Sequence, residues 1–146
     1  MLDHFASILA DSAAYVLHTQ FGATVDQTAN TAPFDGRCVC GSITVAAEST
    51  FTLHMWMPSD TAQALAAKML MAQESDLSEK DVQEATAELV NLIAGHAKTT
   101  LSNQSDCLFE LGLPQIENHS NLRASGPGQS VQTEYGGIKL EVHHDQ

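Results

Sequence analysis

Residues 130–144 read SVQTEYGGIKLEVHH. Val131, Thr133 and Tyr135 alternate with polar neighbours before Gly136-Gly137, and Ile138, Leu140 and Val142 alternate after it. Alternation with period two on both sides of a glycine pair is the pattern of a β-hairpin. It predicts a turn at Gly136-Gly137 with the two apolar rows facing each other. An antiparallel sheet with one covered face follows from that pattern.

The rest of the chain supplies the cover. CVCGSITVAAE (38–48) and STFTLHMWMP (49–58) alternate in the same way, with Val39, Ile43, Val45 and Ala47 in one row and Phe51, Leu53, Met55 and Met57 in the other. Glu48-Ser49-Thr50 between them predicts a second hairpin. Residues 2–20 carry Phe5, Ile8, Leu9, Val16 and Leu17 at helical spacing, with Gly22 as the stop. Residues 23–36, which include Pro33 and Gly36, read as a loop or a weak edge strand. Pro58-Ser59 opens a second helix, with Ser59 as N-cap and Leu65, Met69 and Leu70 facing inward. A third helix runs from about Ser78 to Thr100. Either Asp76 with Glu79 or Ser78 with Asp81 forms its capping box, and Val82, Ala85, Leu89, Ile93 and His96 form its inward stripe. Cys107, Phe109, Leu111 and Leu113 then predict a strand that Pro114 ends or places at an edge. Residues 121–130 read as a loop. The order α-β-β-α-α-β-β-β, in blocks and without strict alternation, predicts an α+β fold. One sheet, mainly antiparallel hairpins, carries three helices within a single domain spanning 1–146.

Composition narrows the function classes. Hydrophobic residues are 43% and charged residues 16% of 146, which is globular. Eighteen acidic against six basic residues give a formal charge of −12. Such a chain lacks the cations that bind nucleic acid by counterion release, and anionic membrane surfaces repel it. No window approaches the roughly 18 consecutive apolar residues of a membrane span. The first residues, MLDHFASILADSAAYVL, place Asp3, His4 and Asp11 in what would be a leader's basic start and apolar run. Cys38, Cys40 and Cys107 form neither a disulfide framework nor a zinc spacing, so reduced thiols in a cytoplasmic protein are expected.

The third helix holds the chemistry. At about 100° per residue, Glu84, Glu88, Asn91, Gly95 and Lys98 share an arc of roughly 80° away from Leu89. Exposed helix faces are normally charged, so a solvated face is the ordinary reading. Asn and Gly are nonetheless poor helix formers, Gly by about 1 kcal/mol against Ala. Both stand on one wet face of a helix otherwise rich in Ala, Leu and Glu. A partner docking flat on this face would account for them, since a glycine lets another surface approach. A carboxamide does not titrate, but it can orient a water between two hydrogen bonds. A carboxylate one turn away can hold a partner's lysine. Together they suit assisted hydrolysis of a phosphoryl group carried by another protein, in which positioning and electrostatics supply nearly all the catalysis.

EATAELVNLIAGHAKTTLS (84–102) and the Leu113-Pro114 that follow resemble the signature of the CheC/CheX/FliY chemotaxis phosphatase family. That signature is Asp or Ser, then Glu four later, Asn three after that, and Pro after 22 intervening residues. Here Glu88, Asn91 and Pro114 match, with residues 92–113 as the gap. LAAKML (65–70) and TEYGGIKLEV (133–142) are similar to the family as well. The length and the single motif resemble CheX more than the two-site CheC. Glu84 departs from the first signature position but keeps an anion there, and DSAAYVLHTQ (11–20) has no second Glu-x-x-Asn.

The resemblance implies a CheC-like fold and hydrolysis of the aspartyl phosphate of a CheY-type response regulator. Glu88 and Asn91 would be the catalytic pair, Glu88 on the partner's lysine and Asn91 aligning the attacking water. Glu84, Gly95 and Lys98 would complete the docking face. It implies no cofactor bound by this chain, Mg²⁺ held by the partner, and a homodimer. The alternative is a CheX-like module that binds a receiver domain or a flagellar or signalling partner without hydrolysis; loss of Glu or Asn would mark it, and both are present. Seven histidines (among them His4, His18, His54, His119 and the terminal His143-His144) show no metal-ligand spacing. His96 on the apolar side reads as a core histidine with a satisfied hydrogen bond. Cys107 and the Met55, Met57, Met69 and Met71 set read as core filling.

Overall fold

A computed structural model describes residues 2–27, 36–104, 108–119 and 128–144. Pro33, Cys107 and residues 121–127 of the expected loop lie outside them. Helix α1 (Leu2–Phe21) is followed by a two-residue strand, β1 (Val25–Asp26), and the hairpin β2 (Cys38–Ala46) and β3 (Thr50–Pro58). Helix α2 (Ser59–Leu70), a 3-10 turn at Glu74–Asp76 and helix α3 (Glu79–Gln104) come next. Strands β4 (Glu110–Leu111), β5 (Gln115–His119), β6 (Gly128–Thr133) and β7 (Gly136–His144) complete the chain.

The seven strands form one antiparallel sheet in the order β1-β6-β7-β3-β2, with β4 and β5 both pairing with β2 at the far edge. The hairpin rows hold: Val39, Ile43 and Val45 lie opposite Met57, Leu53 and Phe51, and all six are buried. With Val131, Ile138, Leu140 and Val142 they join Leu9, Leu17, Leu65, Leu89 and Ile93 of the three helices in one core. All three helices therefore cover the same side of the sheet. The fold is α+β, as the pattern of blocks predicts.

Local chemistry explains the helix ends. Gly22, at φ +64°, follows α1; its N–H donates to His18 O at 3.0 Å, and Ala23 N–H donates to Leu17 O at 3.1 Å. The Gly22 bond makes an αL-type stop, built on the residue type that adopts positive φ without steric cost. At the start of α3 the Ser78 and Asp81 box forms. Ser78 N–H donates to Asp81 Oδ2 at 2.9 Å and Asp81 N–H to Ser78 Oγ at 3.1 Å. The backbone N–H of Ser78 first, and its side-chain hydroxyl second, hold the Asp81 carboxyl below its ordinary pKa. Asp76 belongs to the 3-10 turn instead.

Several expectations need correction. The turn between β6 and β7 falls at Glu134-Tyr135, because Thr133 pairs with Gly136 and Val131 with Ile138. The slip from Val142 to Ile138 as the partner of Val131 is even, so every side chain keeps its face. Gly136 is needed elsewhere: its φ is +128°, and a Cβ there would overlap the Thr61 side chain at the start of α2. The β2–β3 turn likewise falls at residues 47–49, since Ala46 pairs with Thr50. Ser59 is the first residue of α2, and Pro58 occupies the cap position with no side-chain bond. Leu70 is 49% exposed, not inward. The strand expected up to Pro114 is short, Leu113 is exposed, and the main edge strand, QIENH, follows the proline. Pro114 thus separates two edge strands, where a missing N–H is tolerated.

The opposite side of the sheet carries a polar cluster. Trp56, Cys38 and Cys40 are buried there together. Glu141 is 1% exposed; its Oε1 accepts a bond from Trp56 Nε1 at 2.9 Å, and its Oε2 has no hydrogen-bond partner among the described residues. Burial raises the Glu141 pKa against the opposing pull of Trp56, His143 and Lys139. The folded chain therefore binds this proton more tightly than the unfolded chain does. Stability falls as pH rises from the ordinary glutamate range through the raised value. Glu141→Gln, which retains an acceptor for Trp56, should raise the melting temperature at pH 7–8. The gain should shrink as pH falls toward the glutamate range, and a gain independent of pH in thermal melts would contradict this account.

Candidate functional site

α3 is 26 residues long and its two faces differ sharply. Ala85, Thr86, Leu89, Val90, Ile93, Ala94 and Ala97 are buried, while Glu84, Glu88 and Asn91 are exposed. Val82 and His96 of the expected inward stripe are half-buried at its margin. His96 finds its bond: Nδ1 lies 2.8 Å from Oγ of Ser12, itself buried, and the ring stacks on Tyr15 at 4.5 Å.

The structure brings Glu88 and Asn91 together, one turn apart on the outer face. Among the described residues neither has a hydrogen bond or an ion pair. Glu84 differs, since Lys80 Nζ lies 3.8 Å from its Oε1. That pair is exposed and contributes little to stability. Gly95 sits in the same row, and a Cβ there would meet nothing within 4 Å. Its place is therefore not dictated by packing inside the described chain. Lys98 stands apart: it is half-buried beside Phe5, Ala94, Ala97 and Leu101, at the seam of α1 and α3. The lysine is the one member of the stripe whose stem packs on the core, as long cationic side chains often do.

One flank of the stripe opens into a groove of about 970 Å³. Glu88 and Leu92 of α3 form one wall, and Ala64, Ala67, Lys68, Met69 and Met71 at the end of α2 form the other. Phe21 of α1, Glu74 of the 3-10 turn and Tyr135 of the β6–β7 turn line it as well. Sequence reasoning missed this groove, because Met71 in the series MLM reads as core while the structure leaves it 94% exposed. A methionine directly after two apolar helix residues carries no local sign of facing water.

The remaining reactive groups do not assemble. Burial, with Glu117, Glu141 and Cys38 nearby, pushes the Cys40 thiol up to about 12, so it stays protonated and poorly nucleophilic. Cys38 is also free and buried, with its pKa raised by the same loss of solvent. His54 Nδ1 lies 3.5 Å from Cys40 Sγ, and His119 Nε2 lies 3.1 Å from Glu117 Oε2. Among the described residues no three His, Cys, Asp or Glu side chains converge as a metal ion would require. No described helix is long and apolar enough to cross a membrane.

The outer face of α3 can therefore present a carboxylate and a carboxamide to another molecule, with no titrating partner of their own. Comparison with known proteins agrees with this architecture. The structure is similar to that of the chemotaxis protein CheX from Vibrio vulnificus, with a TM-score of 0.79 at 19% identity over 97% of this chain and 96% of that one. It also resembles a CheC-like superfamily protein from Shewanella sp. PV-4, with a TM-score of 0.74 at 21% identity over 100% of both chains. A third likeness is to the CheX-CheY-BeF3-Mg+2 complex from Borrelia burgdorferi, with a TM-score of 0.68 at 18% identity over 97% of this chain and 98% of that one. No curated protein sequence matches the chain. The family model for chemotaxis phosphatase CheX matches residues 39–135, from β2 through α3 to the last turn. With well over half of its length matched in that way, the chain belongs to the CheX family.

Proposed function

We propose that this protein hydrolyses the aspartyl phosphate of a CheY-type response regulator, with Glu88 and Asn91 as the working pair. The observation that carries the reading is their position: exposed, without a partner among the described residues, and one turn apart on a helix whose other face is fixed in the core. Membership of the CheX family supports it, and the Borrelia relative is a complex of CheX with CheY, BeF3 and Mg²⁺.

In this mechanism the helix face docks on the partner's receiver domain, and Glu88 pairs with its active-site lysine. Asn91 enters the partner's site, where its carboxamide oxygen accepts a hydrogen bond from a water aligned opposite the acyl oxygen. The water oxygen attacks phosphorus as the bond from phosphorus to the aspartate oxygen breaks. The aspartate leaves as a carboxylate, and the water's proton passes to the released phosphate or to solvent. Mg²⁺ would be held by the partner, where it would neutralise charge on the phosphoryl group, and no cofactor is required of this chain. Catalysis of this kind is orientation in a site that already holds the charge. A cytoplasmic homodimer is the setting that the family resemblance implies.

The test is phosphate release from an acetyl-phosphate-charged receiver domain, with and without the protein. Asn91→Ala should lower the rate by about 100-fold, the scale of a lost positioning group, with the fold intact. Normal turnover by a folded Asn91→Ala protein would remove the water-orienting role. Receiver binding by the unaltered protein with no turnover would leave a binding module.

Glu88→Ala should raise the half-saturating receiver concentration by about tenfold, and Glu88→Lys by more, since like charges then meet across the interface. Full affinity in Glu88→Lys would rule out the pairing with a lysine.

Gly95→Ala should stabilise the isolated protein by up to about 1 kcal/mol, because the added methyl meets open space and the helix gains propensity. Gly95→Leu should keep the helix and lose partner affinity. A fall in melting temperature for Gly95→Ala, with binding unchanged, would remove Gly95 from the docking face.

A further inference from the structure

Met71 is the one non-glycine residue with positive φ among the described residues, at φ 52° and ψ 45°. It terminates α2, with its N–H donating to Ala67 O. Glycine is the usual occupant of that position, because a Cβ disfavours the left-handed region. Methionine is a flexible apolar residue that adapts to irregular surfaces. Here it is 94% exposed, so its side chain returns nothing to the isolated fold. It borders the groove that ends at Glu88, and Ala64, Ala67, Met69 and Leu92 make the lining between them mostly apolar. The groove is thus continuous with the working face of α3.

We propose that this groove is a second docking point for the same receiver domain. It takes an apolar side chain that the receiver presents beside its active-site lysine, with Met71 closing over it. The inference rests on the phosphatase reading for the identity of the occupant. Charge complementarity favours that occupant: Glu88 and Glu74 outnumber Lys68 among the charged side chains of the groove and favour a cation, while the apolar lining accepts its neighbour. A receiver without the apolar neighbour would pair with Glu88 alone, so the groove sets which receiver is chosen.

Met71→Gly separates this role from a structural one. Glycine relieves the left-handed backbone while deleting the side chain, so the melting temperature should hold or rise. Loss of one buried methionine contact should raise the half-saturating receiver concentration by about tenfold. Binding of a beryllofluoride-charged receiver, measured by calorimetry, should weaken by the same factor. Unchanged binding by Met71→Gly would overturn the proposal, as would a lower melting temperature with full affinity. If the unaltered protein binds the charged receiver without hydrolysing it, the catalytic reading falls while the groove still stands or falls on Met71→Gly. If it binds no charged receiver at all, the groove's assignment is overturned with it.

Discussion

The seat of α3 on β2 is the contact on which the working face depends. It is made at Gly41, in the middle of the strand. A Cβ on that residue would lie 3.3 Å from Ile116 Cδ1 and 3.5 Å from both Thr86 Cγ2 and Val90 Cβ. A bare methyl there would be in ordinary contact with the helix and slightly tight against Ile116 of the paired strand β5, so any longer side chain would have to displace α3 or Ile116. Thr86 and Val90 then face β2 at Gly41, and helical geometry sends Glu84, Glu88 and Asn91 outward. The direction of the outer face is set from beneath, by a residue that never touches it.

Three further contacts hold the helix against rotation and fraying. The reciprocal bonds between Ser78 and Asp81 satisfy donors at its first turn. Asn118 of β5 donates to Glu79 Oε1 at 2.9 Å, which ties the same end to the sheet edge. At mid-helix, Ser12 and Tyr15 of α1 hold His96 from the side. A side chain proposed to position a water is better carried on such an element than on a loop.

Legible in the sequence is whatever a single element decides for itself. The two faces of α3 follow from a 3.6-residue period, and the hairpin rows from a period of two; the helical period alone puts Glu88 and Asn91 on one face. The turn at Glu134-Tyr135 is not legible in that way, because a glycine pair marks positive φ or close approach as readily as a turn centre. Here Thr61, from a distant helix, decides which. The edge strand QIENH is hidden for a related reason. It is polar and only partly covered, so it alternates weakly, and only its pairing with β2 makes it a strand. Met71 carries no signal because helix termination in a left-handed residue is read from glycine, and none is there.

Two glutamates show how placement, rather than residue type, divides structure from function in this chain. Glu141 is enclosed on the sheet's far side, bonded to Trp56, and burial disfavours its charge. Its chemistry is spent inside the fold. Glu88 is exposed and has no partner among the described residues, so docking would desolvate it only as a cation arrives to pair with it. Coulomb attraction strengthens as water leaves, and the cost of burying the carboxylate then falls on the complex and not on the folded monomer. An unpaired acid on the outer face of a rigid helix can thus wait in solvent without destabilising the protein that carries it. The same logic extends to Gly95 and Met71, whose local costs, in helix propensity and left-handed backbone, are borne by the free chain. Both lie along the flank of α3 and the groove beside it that also carry Glu88, so these local costs fall on the side of the helix that the proposed partner would meet.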